Sequence, residues 1–107
     1  MTPTARSLEV LRELGYFADV VERWIQAARV RKDWGGFGDI LAAHASQGIL
    51  LVQSCAAASA AARETKARAC PALEVWKAAG GRAEVWAWSK KGPRGGRKLW
   101  TLSRRTL

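Results

Sequence analysis

Two polar side chains interrupt the apolar runs at the middle of this sequence. Asp39 opens the run Ile40-Leu41-Ala42, and Gln53 follows Ile49-Leu50-Leu51-Val52 and precedes Ser54-Cys55. The two runs are separated by the turn residues Ala45-Ser46-Gln47-Gly48, which predicts an antiparallel hairpin with Asp39 near the start of one strand and Gln53 near the end of the next. Such a hairpin sets a carboxylate beside a carboxamide, two oxygen donors of the kind that a hard divalent cation takes. The plainer roles are also open. A carboxylate at a strand start can cap backbone N–H groups, and a lone carboxamide inside Leu-Leu-Val must find hydrogen-bond partners whatever its function. Ahead of Asp39, Trp34-Gly35-Gly36-Phe37-Gly38 is a glycine-punctuated loop, which permits positive φ or close backbone approach to a ligand.

The elements that must position these residues can be read from periodicity. Thr4 can cap a helix to about Leu14, with Leu8, Val10, Leu11 and Leu14 as its apolar stripe and Gly15 as its stop. Tyr16 to Trp24 reads as a first strand, Asp39 to His44 as a second, and Ile49 to Cys55 as a third whose unbroken apolar run suggests cover on both faces. Ala56 to Ala69 is rich in alanine and carries Glu64 and Arg68 at a favourable i,i+4 spacing, so it reads as a helix. Pro71 suits the first turn of a further helical segment ending at Gly80-Gly81. Arg82 to Lys90 alternates, with Val85 and Ala87 on one face and Glu84, Trp86 and Trp88 on the other, and Leu99 to Leu102 makes a last short strand. No repeat or linker divides the chain, so residues 1–107 are expected to form one α/β domain.

Charge narrows the class of partner. Eighteen Lys and Arg against nine Asp and Glu give a net charge of +9 in 107 residues, which favours a polyanion, nucleic acid above all. Lys90, Lys91, Arg94, Arg97 and Lys98 lie in one glycine-rich turn that can follow a phosphate backbone or remain a solvated hairpin tip. There is no apolar run of about 18 residues and no signal-peptide core, so a cytoplasmic protein without membrane contact is expected. Cys55 and Cys70 have no metal-ligand spacing around them and are expected to be reduced thiols. His44 is expected to end a strand without chemistry. Of the six tryptophans, Trp86, Trp88 and Trp100 are expected to pack across the last two strands or against a helix, with base stacking or a subunit contact as other uses.

Three segments in this order, Val20-Val21-Glu22-Arg23-Trp24, then Arg31-Lys32-Asp33 through Gly36-Phe37-Gly38-Asp39-Ile40-Leu41, then Leu51-Val52-Gln53-Ser54 with Ala61-Ala62-Arg63, resemble the PD-(D/E)XK nuclease superfamily. The likeness is to small phage and bacterial proteins similar to Holliday junction resolvases, and it spans the chain from the first helix to about Trp88. It implies a restriction-endonuclease-like α-β-β-β-α-β core and hydrolysis of DNA phosphodiester bonds, with branched DNA as a candidate substrate. It further implies a magnesium or manganese ion and a homodimer. Asp39 matches the acid of the second strand. Gln53 and Cys55 stand where the family has an acid and a lysine, so this chain departs from the pattern twice. The resemblance implies that Asp33 or Glu22, or else Glu9 or Glu13 on the first helix, supplies the missing negative charge beside Asp39 and Gln53, and that Arg63 or Lys66 supplies the missing cation. Lys32 joins the cations of the 90–98 turn as an expected nucleic-acid contact. The same two departures fit a module that keeps the fold and binds DNA without cutting it, and a basic protein–protein adaptor is a third reading.

Overall fold

Thr2, rather than Thr4, caps the first helix. Its Oγ1 accepts the Ala5 N–H at 3.1 Å, and Pro3 takes the first turn, where its missing N–H is not needed. The computed structural model describes residues 1–107, in the order α1 (Pro3–Glu13), β1 (Phe17–Val20), β2 (Arg23–Ile25), β3 (Val30–Lys32), β4 (Ile40–His44) and β5 (Gly48–Ala56). A 3-10 turn (Ala57–Ser59), α2 (Ala60–Arg68), α3 (Pro71–Ala78), β6 (Arg82–Lys91) and β7 (Leu99–Thr106) complete it. The chain forms one α/β domain with a mixed five-stranded sheet in the order β1-β4-β5-β6-β7. No helix is long and apolar enough to cross a membrane.

The expected first strand, Tyr16 to Trp24, is broken in two. The Val21 and Glu22 N–H groups both donate to the Asp39 carbonyl, at 2.8 and 3.4 Å, which turns the chain off the sheet after Val20. Instead of continuing the strand, the chain then makes a separate two-stranded ribbon of β2 with β3, an element absent from the expected order. The alanine-rich helix begins later than expected, because Ala57–Ser59 form a 3-10 turn first, and β7 runs past Leu102 to Thr106. The expected Glu64–Arg68 pair is present at 3.1 Å, and Glu64 also takes Arg105. His44 ends β4, where its Nδ1 accepts the Ser46 and Gln47 N–H groups of the turn.

β4 and β5 form the expected hairpin, with Ile40 opposite Val52 and His44 opposite Gly48. Only β5 and β6 are parallel, and α2 and α3 make the crossover between them. The alternation along the strands separates two cores. Leu51, Cys55, Val85 and Ala87 face Ala60, Ala67 and Leu73 of the helical crossover. Leu50, Val52 and Trp86 face Leu11 of α1, together with Tyr16, Ile40 and Ala42. β5 is therefore covered on both sides, as its apolar run requires.

The α1 side holds one polar knot. Ser7, fully buried in mid-helix, accepts the Ser54 hydroxyl at 2.8 Å and the Trp88 indole N–H at 2.9 Å, so it ties α1 to β5 and β6. Removing that oxygen strands two buried donors, each costing about 1–3 kcal/mol when unpaired. Ser7→Ala is expected to lower the unfolding free energy by about 2 kcal/mol in urea titration, with the m-value unchanged.

Candidate metal centre

Every polar group of Asp39 is engaged, and this fixes the site. Its N–H donates to the Val52 carbonyl at 2.9 Å, its carbonyl holds Val21 and Glu22, and its Oδ2 accepts the Ser54 N–H at 2.8 Å. Just before it, Gly38 lets the chain pass against β5, since a Cβ there would lie 2.6 Å from the Leu51 side chain. Because the Asp39 carbonyl holds the link between β1 and β2, Glu22 lies beside it, and because β3 returns antiparallel to β2, Asp33 arrives at the same place. The carboxylate oxygens of Glu22, Asp33 and Asp39 lie within 4.8 Å of one another.

These acids open into a cleft of about 540 Å³ at the end of the sheet where β5 stops. Its wall includes Arg31, Cys55, Ser59, Arg63 and Lys66, with Pro3 and Thr4 from the start of α1. Arg31 reaches Glu22 at 3.4 Å, while Asp33, Arg63 and Lys66 form no ion pair. A second hollow, lined by Arg31, Lys32, Asp33, Gly35, Gly36 and Lys66, adjoins the first.

Burial lifts the Asp39 carboxyl from 3.8 to about 7; the Ser54 N–H opposes this, the charges of Asp33 and Glu22 add to it, and Arg63 opposes it. Burial likewise pushes the Cys55 thiol up, with Arg63 and Arg105 opposing and Asp39 reinforcing. Cys55 is thus a buried neutral thiol that brings no positive charge to the cleft. Arg63 and Lys66, three residues apart on one face of α2, are the cations that the cleft contains beyond Arg31.

Gln53 does not join the acids. It is fully buried, it lies outside the cleft wall, and neither its Oε1 nor its Nε2 has a hydrogen-bond partner. The contact that crosses the hairpin here runs from Asp39 to the Ser54 backbone instead of to the Gln53 carboxamide. Glu9 and Glu13 also lie elsewhere, on hollows along α1 away from the three acids. The remaining basic residues expected to contact nucleic acid, Lys90, Lys91, Arg94, Arg97 and Lys98, are exposed at the β6–β7 turn and pair with no carboxylate. Since β6 runs parallel to β5 with Cys55 opposite Ala87, that turn projects from the same end of the sheet as the cleft.

Three crowded carboxylates, one of them holding a proton near neutral pH, fit a divalent cation in donor type and number. Compared with family models, curated proteins and solved structures, the chain matches none.

Two pH effects of opposite sign are expected in the metal-free protein. Asp39 is raised in the fold, so the stability it contributes is complete below pH 3.8 and is lost as pH rises through about 7. Glu84 acts in a lower window. Burial pushes it up, but the Arg104 and Trp86 hydrogen bonds outweigh burial and hold it below 4.5, so its contribution is lost on acidification. Thermal unfolding between pH 4 and 8 is expected to show stability falling by a few kcal/mol on account of Asp39, a slope that Asp39→Asn removes. Gln53→Met is expected to raise stability by about 1 kcal/mol, read by urea titration, because it replaces an unpaired carboxamide with an apolar chain of similar volume.

Proposed function

We propose that this protein is a magnesium- or manganese-dependent DNA endonuclease of the restriction-endonuclease-like class, acting on branched DNA such as a four-way junction as a homodimer. The observation that carries the reading is the convergence of Glu22, Asp33 and Asp39 with the unpaired cations Arg63 and Lys66 in one cleft. The element order supports it too: after the leading helix, the antiparallel meander β1-β4-β5 leads through helices to a parallel β6.

On this reading Asp39, Asp33 and Glu22 hold the ion, and a bound ion supplies Lewis-acid stabilisation of phosphate charge and a water acidified toward neutral pH. Arg63 and Lys66 hold the non-bridging phosphate oxygens and take the family lysine's electrostatic role as charge grows on the scissile phosphate. Gln53 takes no part in holding the ion, since it is buried away from the cleft wall. The exposed cations of the β6–β7 turn draw the phosphate backbone toward that end of the sheet. Two cuts across a junction need two such clefts, hence the dimer.

A second reading, a DNA-binding module without cleavage, is favoured by one observation: Cys55 and Gln53 bring neither cation nor anion to the positions where the family has both.

Cleavage of end-labelled four-way-junction and linear duplex DNA separates the two. Cuts are expected in magnesium and manganese and not in EDTA, with Asp39→Asn reducing the rate at least about 1,000-fold and Arg63→Ala or Lys66→Ala each about 100-fold. DNA binding that is unchanged by EDTA and by Asp39→Asn, without cuts, overturns the nuclease in favour of the binding module. Full activity of both Arg63→Ala and Lys66→Ala overturns the assignment of the cation.

A further inference from the structure

We infer that the β2–β3 ribbon is an arm that grips duplex DNA beside the cleft, on the side opposite the β6–β7 turn; this rests on the DNA reading above. The ribbon belongs to neither face of the main sheet and pairs only with itself, Arg23 with Lys32, Trp24 with Arg31 and Ile25 with Val30. It leaves the fold immediately after Glu22 and rejoins it immediately before Asp33, so two of the three acids are its anchor points. Whatever it grips lies directly beside those acids.

Its composition is that of a polyanion contact. Arg23 and Lys32 stand directly opposite each other, a like-charge pair that weakens a ladder, and neither has an acidic partner. Arg29 sits exposed at the tip with φ 53, a backbone state that a long side chain rarely takes. Trp24 leaves 54% of its surface in water, with its N–H turned to Gln26. An isolated two-stranded ribbon is marginal in water, and one that carries unpaired cations and an open indole gains most when an anionic surface covers it.

Size and position select duplex DNA. Three paired residues per strand span roughly 10 Å, the rise of about three base pairs, and the major groove admits a two-stranded ribbon. The ribbon follows β1 at one edge of the sheet, and the Lys90–Lys98 loop joins β6 to β7 at the other. Strand directions bring both to the same end, where the cleft opens, so the two basic arms bracket the acids.

The test measures binding of a fluorescent linear duplex and a four-way junction in EDTA across a series of salt concentrations. It compares the unaltered protein, Arg23→Ser/Arg29→Ser/Lys32→Ser, and the single Arg23→Glu. The triple variant is expected to bind at least tenfold more weakly and to lose about 2 to 3 from the slope of log affinity against log salt. Arg23→Glu creates an ion pair with Lys32 across the ladder, so the ribbon holds at least as well while affinity falls. This separates lost contact from lost structure. Unaltered affinity and slope in both variants, with the parent binding and cutting DNA, overturn the ribbon assignment and leave the nuclease standing. A parent that neither binds nor cuts DNA overturns both.

Discussion

The backbone and side chain of Asp39 act as one clamp. Its carbonyl turns the chain out of β1, its amide and carboxylate lock onto β5, and each of these bonds is between 2.8 and 3.4 Å. That clamp sets where Glu22 leaves the sheet, and the Arg31–Glu22 pair and the β2–β3 ladder bring Asp33 back beside it. The cost is a carboxyl held where water is scarce and two other acids are near. The crowding of like charges raises the proton affinity of Asp39, while Arg63 works against it.

The remaining cations are arranged with respect to this cluster and not spread evenly. Arg31 is committed to Glu22, Arg104 and Arg82 to Glu84, and Arg68 and Arg105 to Glu64. Arg63 and Lys66 are left free on the cleft wall, and the β6–β7 turn keeps five cations clear of any carboxylate at the rim. Trp100 sits between Arg6, 3.5 Å from its ring centroid, and Lys90 at 5.2 Å, so even the cations nearest the loop are held by a π face instead of a carboxylate. Glu64 and Glu84 thus each hold two arginines, while Glu22, Asp33 and Asp39 gather at the cleft.

Much of this is legible in the sequence where a pattern is local. The β4–β5 hairpin, the covered central strand, the alternation of Val85 and Ala87 against Trp86 and Trp88, and the place of Asp39 arise from period and turn chemistry. The ribbon is hidden because its turn, Gln26-Ala27-Ala28-Arg29, has no Gly, Asn, Asp or Pro, and Arg29 takes the left-handed position where such a residue would have announced it. The break after Val20 is set by the Asp39 carbonyl, a tertiary contact that no local pattern encodes. Ser7 reads as a polar helix position, yet its partners lie 47 and 81 residues away. Gln53 is legible as a residue needing partners and not as one that lacks them.

The parallel pairing of β5 with β6 has a consequence for how the chain is made. All the cleft's residues lie between Pro3 and Lys66, whereas the strand that completes the cover of β5 begins at Arg82. On a ribosome, the meander and its three acids emerge first, with one side of β5 still unpaired and its apolar residues exposed. A non-local parallel contact is slow to close, because the intervening loop must be restrained before the contact rewards it. The bonds that place the charged cluster all lie between Val21 and Ser54, so they can form before β6 exists, whereas the pairing of β5 with β6 must wait for the whole helical crossover.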